Sequence, residues 1–387
     1  MDLERMGLEG AGLVLPRVRR LTLADFRSYA QARCDIGGGA GDQLVVLVGE
    51  NGAGKTNALE ALSMFSAGRG LRRADLAECA RHDGAGGYAV SIELDCNDGT
   101  TQLGHGLGPD SVRQFRIDRA PVASARAFAD HLRVLWLTPA MDGLFAGPAG
   151  DRRRFLDRLA LGVDADHGAR GSRLERALRN RNRLLEEGVA DRRWLAATEQ
   201  EIAALGVAVA AARLETVSRL RGIIAEGREG PFPWAEIAID GEIENRLTEA
   251  PALAVEEWFR DALAATRRRD AAAGRTLTGP QTSDLAVRHG PRDVAARECS
   301  TGEQKALLMG LTLAHARLVG EMTGRAPLLL LDEVAAHFDP KRRAALYDEL
   351  EKLGGQVWMT GADPALFETL KNRATIFSVT AGKIFPA

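Results

Sequence analysis

With 387 residues, 45% hydrophobic and 27% charged, the chain has the make-up of an ordinary globular protein long enough for two lobes. A net charge of −2 excludes a global positive field, so any nucleic-acid surface has to be a local patch. The four cysteines, Cys34, Cys79, Cys96 and Cys299, have no metal-ligand spacing and are too sparse for a disulfide scaffold, so they read as reduced structural thiols.

The first twenty residues carry scattered charges and no apolar core before a cleavage site, which argues against a signal peptide. No apolar run looks long enough to span a bilayer, and the expectation is a cytoplasmic protein with no membrane partner. From residue 17 to 142 the pattern predicts strands over 18–23, 44–48, 89–94 and 134–137, with a polar, glycine-rich hairpin region over 97–119.

Gly49-Glu50-Asn51-Gly52-Ala53-Gly54-Lys55-Thr56 fits G-x-x-x-x-G-K-[ST] and lies between an apolar strand and a helix marked by Ala58, Leu59, Leu62 and Phe65. That context makes it a P-loop: backbone N–H groups and a helix N-terminus face an anion, Lys55 reaches the terminal phosphates and Thr56 offers a hydroxyl to Mg²⁺. ATP with Mg²⁺ is the expected cofactor pair.

From about residue 151 to 273 glycine thins out, and Leu174, Leu178, Leu184, Leu185, Leu195, Ile202, Leu205, Leu214 and Leu220 recur at helical spacing. The heptad pattern is too short for an extended coiled coil and is expected to break at Gly188, Gly206 and the Gly230-Pro231-Phe232-Pro233 turn. Strand and helix character returns from Leu277. Three segments are expected: residues 1–150 as the first half of an ATPase lobe, 151–275 as a helical second lobe, and 276–387 as the second half of the ATPase lobe.

Leu328-Leu329-Leu330-Leu331-Asp332-Glu333 reads either as a buried parallel strand with an acidic end or, paired with a P-loop, as a Walker B strand. In the second reading Asp332 holds Mg²⁺ and Glu333 polarises the attacking water. Cys299-Ser300-Thr301-Gly302-Glu303-Gln304-Lys305 opens an apolar helix, and locally Ser300 and Glu303 form a capping box. The Ser-x-Gly-x-Gln pattern also resembles the signature of ABC-type ATPases, which implies that Ser300, Gly302 and Gln304 act on the nucleotide of a second copy of the chain. His337-Phe338-Asp339 is similar to the D-loop of that family, and this likeness puts Asp339 at a dimer seam. Where many members carry a switch histidine, the strand over 356–360 ends in Met359-Thr360-Gly361. Thr360 is expected to take part of that role.

Several motifs together resemble the RecF family, and the likeness covers essentially the whole chain. They are Leu21-Thr22-Leu23-Ala24-Asp25-Phe26-Arg27-Ser28-Tyr29, the P-loop through Asn57, Gly68-Arg69-Gly70-Leu71-Arg72-Arg73, Gly147-Pro148-Ala149-Gly150-Asp151-Arg152-Arg153-Arg154-Phe155-Leu156-Asp157, and the S-T-G-E-Q-K form of the signature. One motif departs: Gly279-Pro280-Gln281-Thr282-Ser283-Asp284-Leu285 has Gln-Thr where the family usually has His-Arg.

The resemblance implies an α/β, ABC-type (SMC-like) P-loop ATPase head, with a helical lobe inserted between the Walker A half and the signature and Walker B half. It also implies an ATP-dependent homodimer that binds duplex DNA and single-strand/double-strand junctions and promotes RecA loading with RecO and RecR. Hydrolysis would be weak, DNA-stimulated and switch-like, without nuclease chemistry. Another SMC-like or OLD-like ATPase acting on DNA is the alternative. Arg72 with Arg73, Arg152 to Arg154 and Arg267 to Arg269 are the candidate phosphate contacts, with solvated or internally paired arginines as the competing reading.

Overall fold

Every residue of Leu44–Val48 is buried, as an unbroken apolar run predicts for an inner strand of a parallel sheet. In the computed structural model, which describes residues 12–39, 41–96, 99–108, 110–188 and 192–387, this strand belongs to the first of two units. The first comprises Met1–Pro139 and Ala316–Ala387, the second Ala140–His315. Residues 1–11, on which the expectation about a signal peptide falls, and residues 97, 98 and 109 of the hairpin region lie outside the described residues.

The first unit holds two six-stranded sheets. One runs in the order Lys383–Pro386, Thr375–Thr380, Leu44–Val48, Val357–Gly361, Leu328–Leu331, Val134–Leu137, parallel except for the terminal hairpin. Val357–Gly361 therefore lies between the P-loop strand and the acidic-ended leucine strand, and the carboxyl ends of all three meet at one edge, where α/β sheets place ligands. The other sheet is antiparallel, running Tyr29–Asp35, Arg17–Phe26, Tyr88–Cys96, Gly99–Leu107, Arg113–Ile117, Ala120–Pro121. Its inner face covers the P-loop helix Lys55–Ser63: His105 Nε2 lies 3.4 Å from the Ala61 carbonyl and packs edge-on against Phe65 at 4.8 Å.

The second unit is mostly helical: Ala149–Val163, His167–Glu186, Arg192–Glu226, Glu242–Glu249, Ala252–Ala265 and Arg267–Ala273. Its apolar cluster includes Leu174, Leu178, Ile202, Leu205, Phe259 and Leu263. Arg181, fully buried, crosses this region and donates to Glu199, Asp270, Thr276 and the Leu263 carbonyl at 2.7–3.1 Å. A buried guanidinium is tolerated only when its donors are matched in this way.

Three expectations differ from the structure. Gly206 does not break a helix, because Arg192–Glu226 runs through it; a Cβ there would lie 2.7 Å from the Phe259 ring, so the glycine lets the crossing helix approach. That helix is also long and apolar enough, by length and composition, to cross a membrane, yet 56% of its apolar window is buried inside the protein, and its apolar face is taken up by the core. Lastly, the segment boundaries at 150/151 and 275/276 are displaced. Asp284–His289 pairs with Ala235–Asp240, a strand inside the expected helical segment, and this pairing carries residues 276–315 into the second unit.

Candidate nucleotide site

The P-loop turns because Gly54 adopts φ 117°, a conformation reserved for glycine. A Cβ there would also lie 2.8 Å from Ser28 Oγ, and Tyr29 Oη donates to the Gly54 carbonyl at 3.0 Å. Behind the loop, the Gly382 N–H donates to the Ala53 carbonyl at 3.2 Å. Lys55 is 4% exposed, and its ammonium donates to the Gly49 and Glu50 carbonyls at 2.7 and 2.9 Å. Asn51 and Gly52 stay exposed at the rim.

At the second position of the helix, the Thr56 hydroxyl lies 3.0 and 3.1 Å from the two oxygens of Asp332. Asp332 is 6% exposed and follows the buried strand Leu328–Leu331. The pair is a hard, all-oxygen donor set, and the Thr56 oxygen keeps lone pairs while its proton points to the carboxylate. This arrangement fits Mg²⁺, which binds through few protein oxygens and takes phosphate oxygens and waters for the rest.

Glu333 sits at φ 53°, an unfavourable left-handed geometry for a residue with a side chain. Its N–H donates to the Thr360 hydroxyl at 2.9 Å, and the same hydroxyl donates to Asp332 Oδ1 at 2.7 Å. The structure thus brings Lys55, Thr56, Asp332, Glu333 and Thr360 to one sheet edge. The link through Thr360 is not visible in the sequence, because its partners lie on a neighbouring strand. Asn57 is held from both sides, donating to Ser28 Oγ at 2.9 Å and accepting from Arg72 at 2.7 Å.

Glu60, 2% exposed on the same helix, is clamped by Arg27 at 2.7 Å and Arg72 at 2.6 Å. Sequence reasoning missed this ion cluster. Its only signal was a carboxylate on the inward side of an apolar helix.

Within the second unit, Ser300–Glu303 forms the expected capping box at the start of Thr301–Thr323: the Ser300 N–H donates to Glu303 Oε2 at 2.9 Å, and the Glu303 N–H to Ser300 Oγ at 3.4 Å. The Ser300 N–H, the Ser300 hydroxyl, which donates to the same Glu303 oxygen at 2.8 Å, and Arg292 hold the Glu303 carboxyl down at about 2. Gln304 is buried and donates to the Cys299 carbonyl at 2.9 Å, and Gly302 faces open space. In the first unit, Asp339 caps the helix Pro340–Lys352 by accepting from the Arg342 N–H.

The arginine clusters divide. Arg152 makes a two-pronged pair with Asp284 at 2.8 and 2.7 Å, Arg153 donates to the Ser283 carbonyl, Arg154 pairs with Asp151, and Arg267 pairs with Glu199. The Arg152, Arg153 and Arg267 guanidiniums tie distant segments of the second unit together, whereas Arg154 pairs within its own helix and stays exposed. Arg72 is half committed to Glu60, whereas Arg73 is exposed with no ion pair among the described residues. In the departing motif, Gln281 donates to the Thr276 and Thr278 carbonyls and Thr282 to the Gly279 carbonyl, so the Gln-Thr pair serves its own turn.

A P-loop strand and a carboxylate-ended strand flanking a third parallel strand, with an antiparallel sheet over the P-loop helix and a helical unit inserted in the chain, define an SMC-like P-loop ATPase head. Residues 17–384 match the family described as RecF/RecN/SMC N terminal domain. The chain is 52% identical over 95% of its length to the DNA replication and repair protein RecF of Mesorhizobium japonicum, covering 97% of that protein. It is 51% identical to the one of Rhizobium leguminosarum bv. trifolii, with 95% and 98% covered. The chain belongs to the RecF family.

Its fold matches the solved "recombination mediator protein RecF-ATPrS in RecFOR pathway" with a TM-score of 0.84 at 19% identity, over 97% of this chain and 100% of that one. The Smc head bound to the C-winged helix domain of ScpA matches with a TM-score of 0.54 at 14% identity, over 96% and 97%.

Proposed function

We propose that this chain is an ATP-dependent recombination mediator that binds DNA as a dimer closed by ATP, and that slow, DNA-stimulated hydrolysis releases it. The observation that carries this reading is the meeting of Thr56, Asp332 and Thr360 within 2.7–3.1 Å beside the P-loop lysine. Relatives at about half identity are named DNA replication and repair protein RecF, and a solved neighbour is titled a recombination mediator in the RecFOR pathway.

In this reading the backbone N–H groups of Gly49, Glu50, Asn51, Gly52, Ala53 and Gly54 surround the phosphates, Lys55 neutralises the β- and γ-groups, and Asn57 steadies the helix start. Thr56 and Asp332 hold Mg²⁺, which offsets phosphate charge when bound. Glu333 takes a proton from water as the water oxygen bonds to the γ-phosphorus and the bridging P–O bond to ADP breaks. Ser300, Gly302 and Gln304 of one copy close on the nucleotide held by the other, with Asp339 at the seam. The DNA partner is duplex or a single-strand/double-strand junction, and the protein partners are RecR and RecO and, through them, RecA, in the cytoplasm.

The test is the ATPase rate and sedimentation of the purified protein, each with and without gapped DNA. An ATP-dependent dimer whose turnover rises with DNA supports the reading. A monomer in ATP, or turnover indifferent to DNA, overturns it.

A further inference from the structure

Thr360 is 1% exposed at the carboxyl end of Val357–Gly361. Its strand is registered against both halves of the site: Thr360 opposes Leu47 and Gly361 opposes Val48 on the P-loop side, and Met359 opposes Leu331 on the other. The Gly49 N–H, first of the P-loop, donates to the Gly361 carbonyl at 3.3 Å. The hydroxyl is thus fixed to the P-loop through its own strand, and its two hydrogen bonds tie it to the Asp332 carboxylate and to the Glu333 backbone N–H.

A threonine hydroxyl has one proton to give. Here that proton goes to Asp332 Oδ1 at 2.7 Å, and the oxygen accepts from the Glu333 N–H at 2.9 Å. With its donor spent on Asp332, the hydroxyl has none left for a γ-phosphate, which is what a phosphate sensor at this position needs. What it does hold is the Glu333 backbone at φ 53° and the carboxylate beside it. A strained backbone persists only where its surroundings over-determine it, and this N–H···O bond is a direct restraint on it.

We propose that Thr360 is a positioning residue for ATP hydrolysis: it aims the Glu333 carboxylate by tying the Glu333 backbone and Asp332 to the strand that carries the P-loop, without touching the nucleotide. The inference rests on the ATPase reading above. Preorganised support of this kind raises the rate of the chemical step and leaves ground-state binding little changed.

The experiment compares Thr360→Val, which keeps the shape and removes the hydroxyl, with Thr360→Ser, which restores it, at saturating Mg²⁺. Thr360→Val is expected to lower kcat by about 10- to 100-fold, with KM for ATP and the ratio of ATP to ADP affinity within about twofold of wild type. Thr360→Ser should retain kcat within about threefold. In a Glu333→Gln background, Thr360→Val should cost less than about threefold more, because both changes act through one carboxylate.

Wild-type kcat in Thr360→Val overturns the proposal. So does a fall in the ATP-to-ADP affinity ratio, which would make Thr360 a phosphate sensor. So does a Thr360→Ser rate as low as that of Thr360→Val, or full additivity with Glu333→Gln. If Thr360→Val melts early, Thr360→Ala removes the hydroxyl in its place and is held to the same outcomes against Thr360→Ser. A wild-type protein that does not hydrolyse ATP, or Glu333→Gln at the wild-type rate, would instead remove the ATPase reading beneath the proposal.

Discussion

The Walker cluster and the signature segment are both short polar motifs, built in opposite ways. Thr56 and Asp332 are 276 positions apart in the chain, and Lys55, Asp332 and Thr360 are nearly inaccessible; the cluster exists only because a parallel sheet brings three strand ends together. Ser300, exposed, and Glu303, half-buried, are three positions apart and satisfied by their own helix start. A convergent buried site fails when any one member is lost. A self-contained cap carries on alone, so whatever more Ser300 does has to come from outside the monomer.

The sharpest way to break this comparison is at the cluster. Lys55→Ala removes the ties to the Gly49 and Glu50 carbonyls and the charge that the proposed function sets against the phosphates. ATP affinity should fall by at least about 100-fold, read by titration with a fluorescent ATP analogue, and an unchanged dissociation constant would mean that the loop does not hold phosphate. Glu333→Gln should leave affinity within about threefold while cutting turnover by roughly 10²–10³, since only the proton acceptor is gone. Sedimentation of that variant in ATP should show a persisting dimer.

What could be read beforehand follows the same division. The P-loop, the leucine strand and the capping box are contiguous patterns, and each formed as its local chemistry dictates. Contacts between distant segments left no local trace. Nothing near Arg152 announces Asp284 as its partner, and nothing near Thr360 announces Glu333. Ala235–Asp240 alternates over too few residues to stand out from the helices around it, and it is a strand only because Asp284–His289 pairs with it. Gly206 looked like a helix breaker because propensity counts its backbone freedom and not the ring of Phe259 lying against it.

At the signature, two substitutions separate the local role from the outside one. Ser300→Ala loses the cap and should cost about 1 kcal/mol of stability, seen as a small shift in denaturant midpoint. Ser300→Arg loses the same cap but adds a bulky cation at the proposed seam. Monomer affinity for ATP should stay within about threefold while light scattering shows no ATP-dependent dimer. A normal dimer would reduce the segment to its cap.

A pH effect is shared by both units. Burial pushes the imidazoles of His105 and His315 down to about 4, below the ordinary value near 6.5. The unfolded chain therefore binds more protons than the native one between those values, and stability should fall as pH drops from about 6.5 towards 4, by on the order of 1–3 kcal/mol per histidine. His105→Phe keeps an aromatic ring against Phe65 and cannot titrate. Its denaturant midpoint should decline less steeply than wild type over that range, and an identical decline would show that His105 is not neutral and buried in the native state.

The smallest expected effect divides the arginines. Arg73 is exposed and unpaired among the described residues, whereas Arg152 is 17% exposed and held by both oxygens of Asp284. If Arg73 meets a DNA phosphate, Arg73→Gln should reduce the slope of log affinity against log salt by about 1 and weaken all duplex sequences alike, because a phosphate contact carries no base information. Arg152→Gln should leave that slope alone and instead lower stability, since it strands Asp284 without its cation. Titrations of duplex DNA at several salt concentrations with ATP present, beside denaturant melts of both variants, tell the two roles apart. An unchanged slope for Arg73→Gln would remove it from the DNA surface, and a reduced slope for Arg152→Gln at wild-type stability would mean that the Asp284 pair opens to admit DNA.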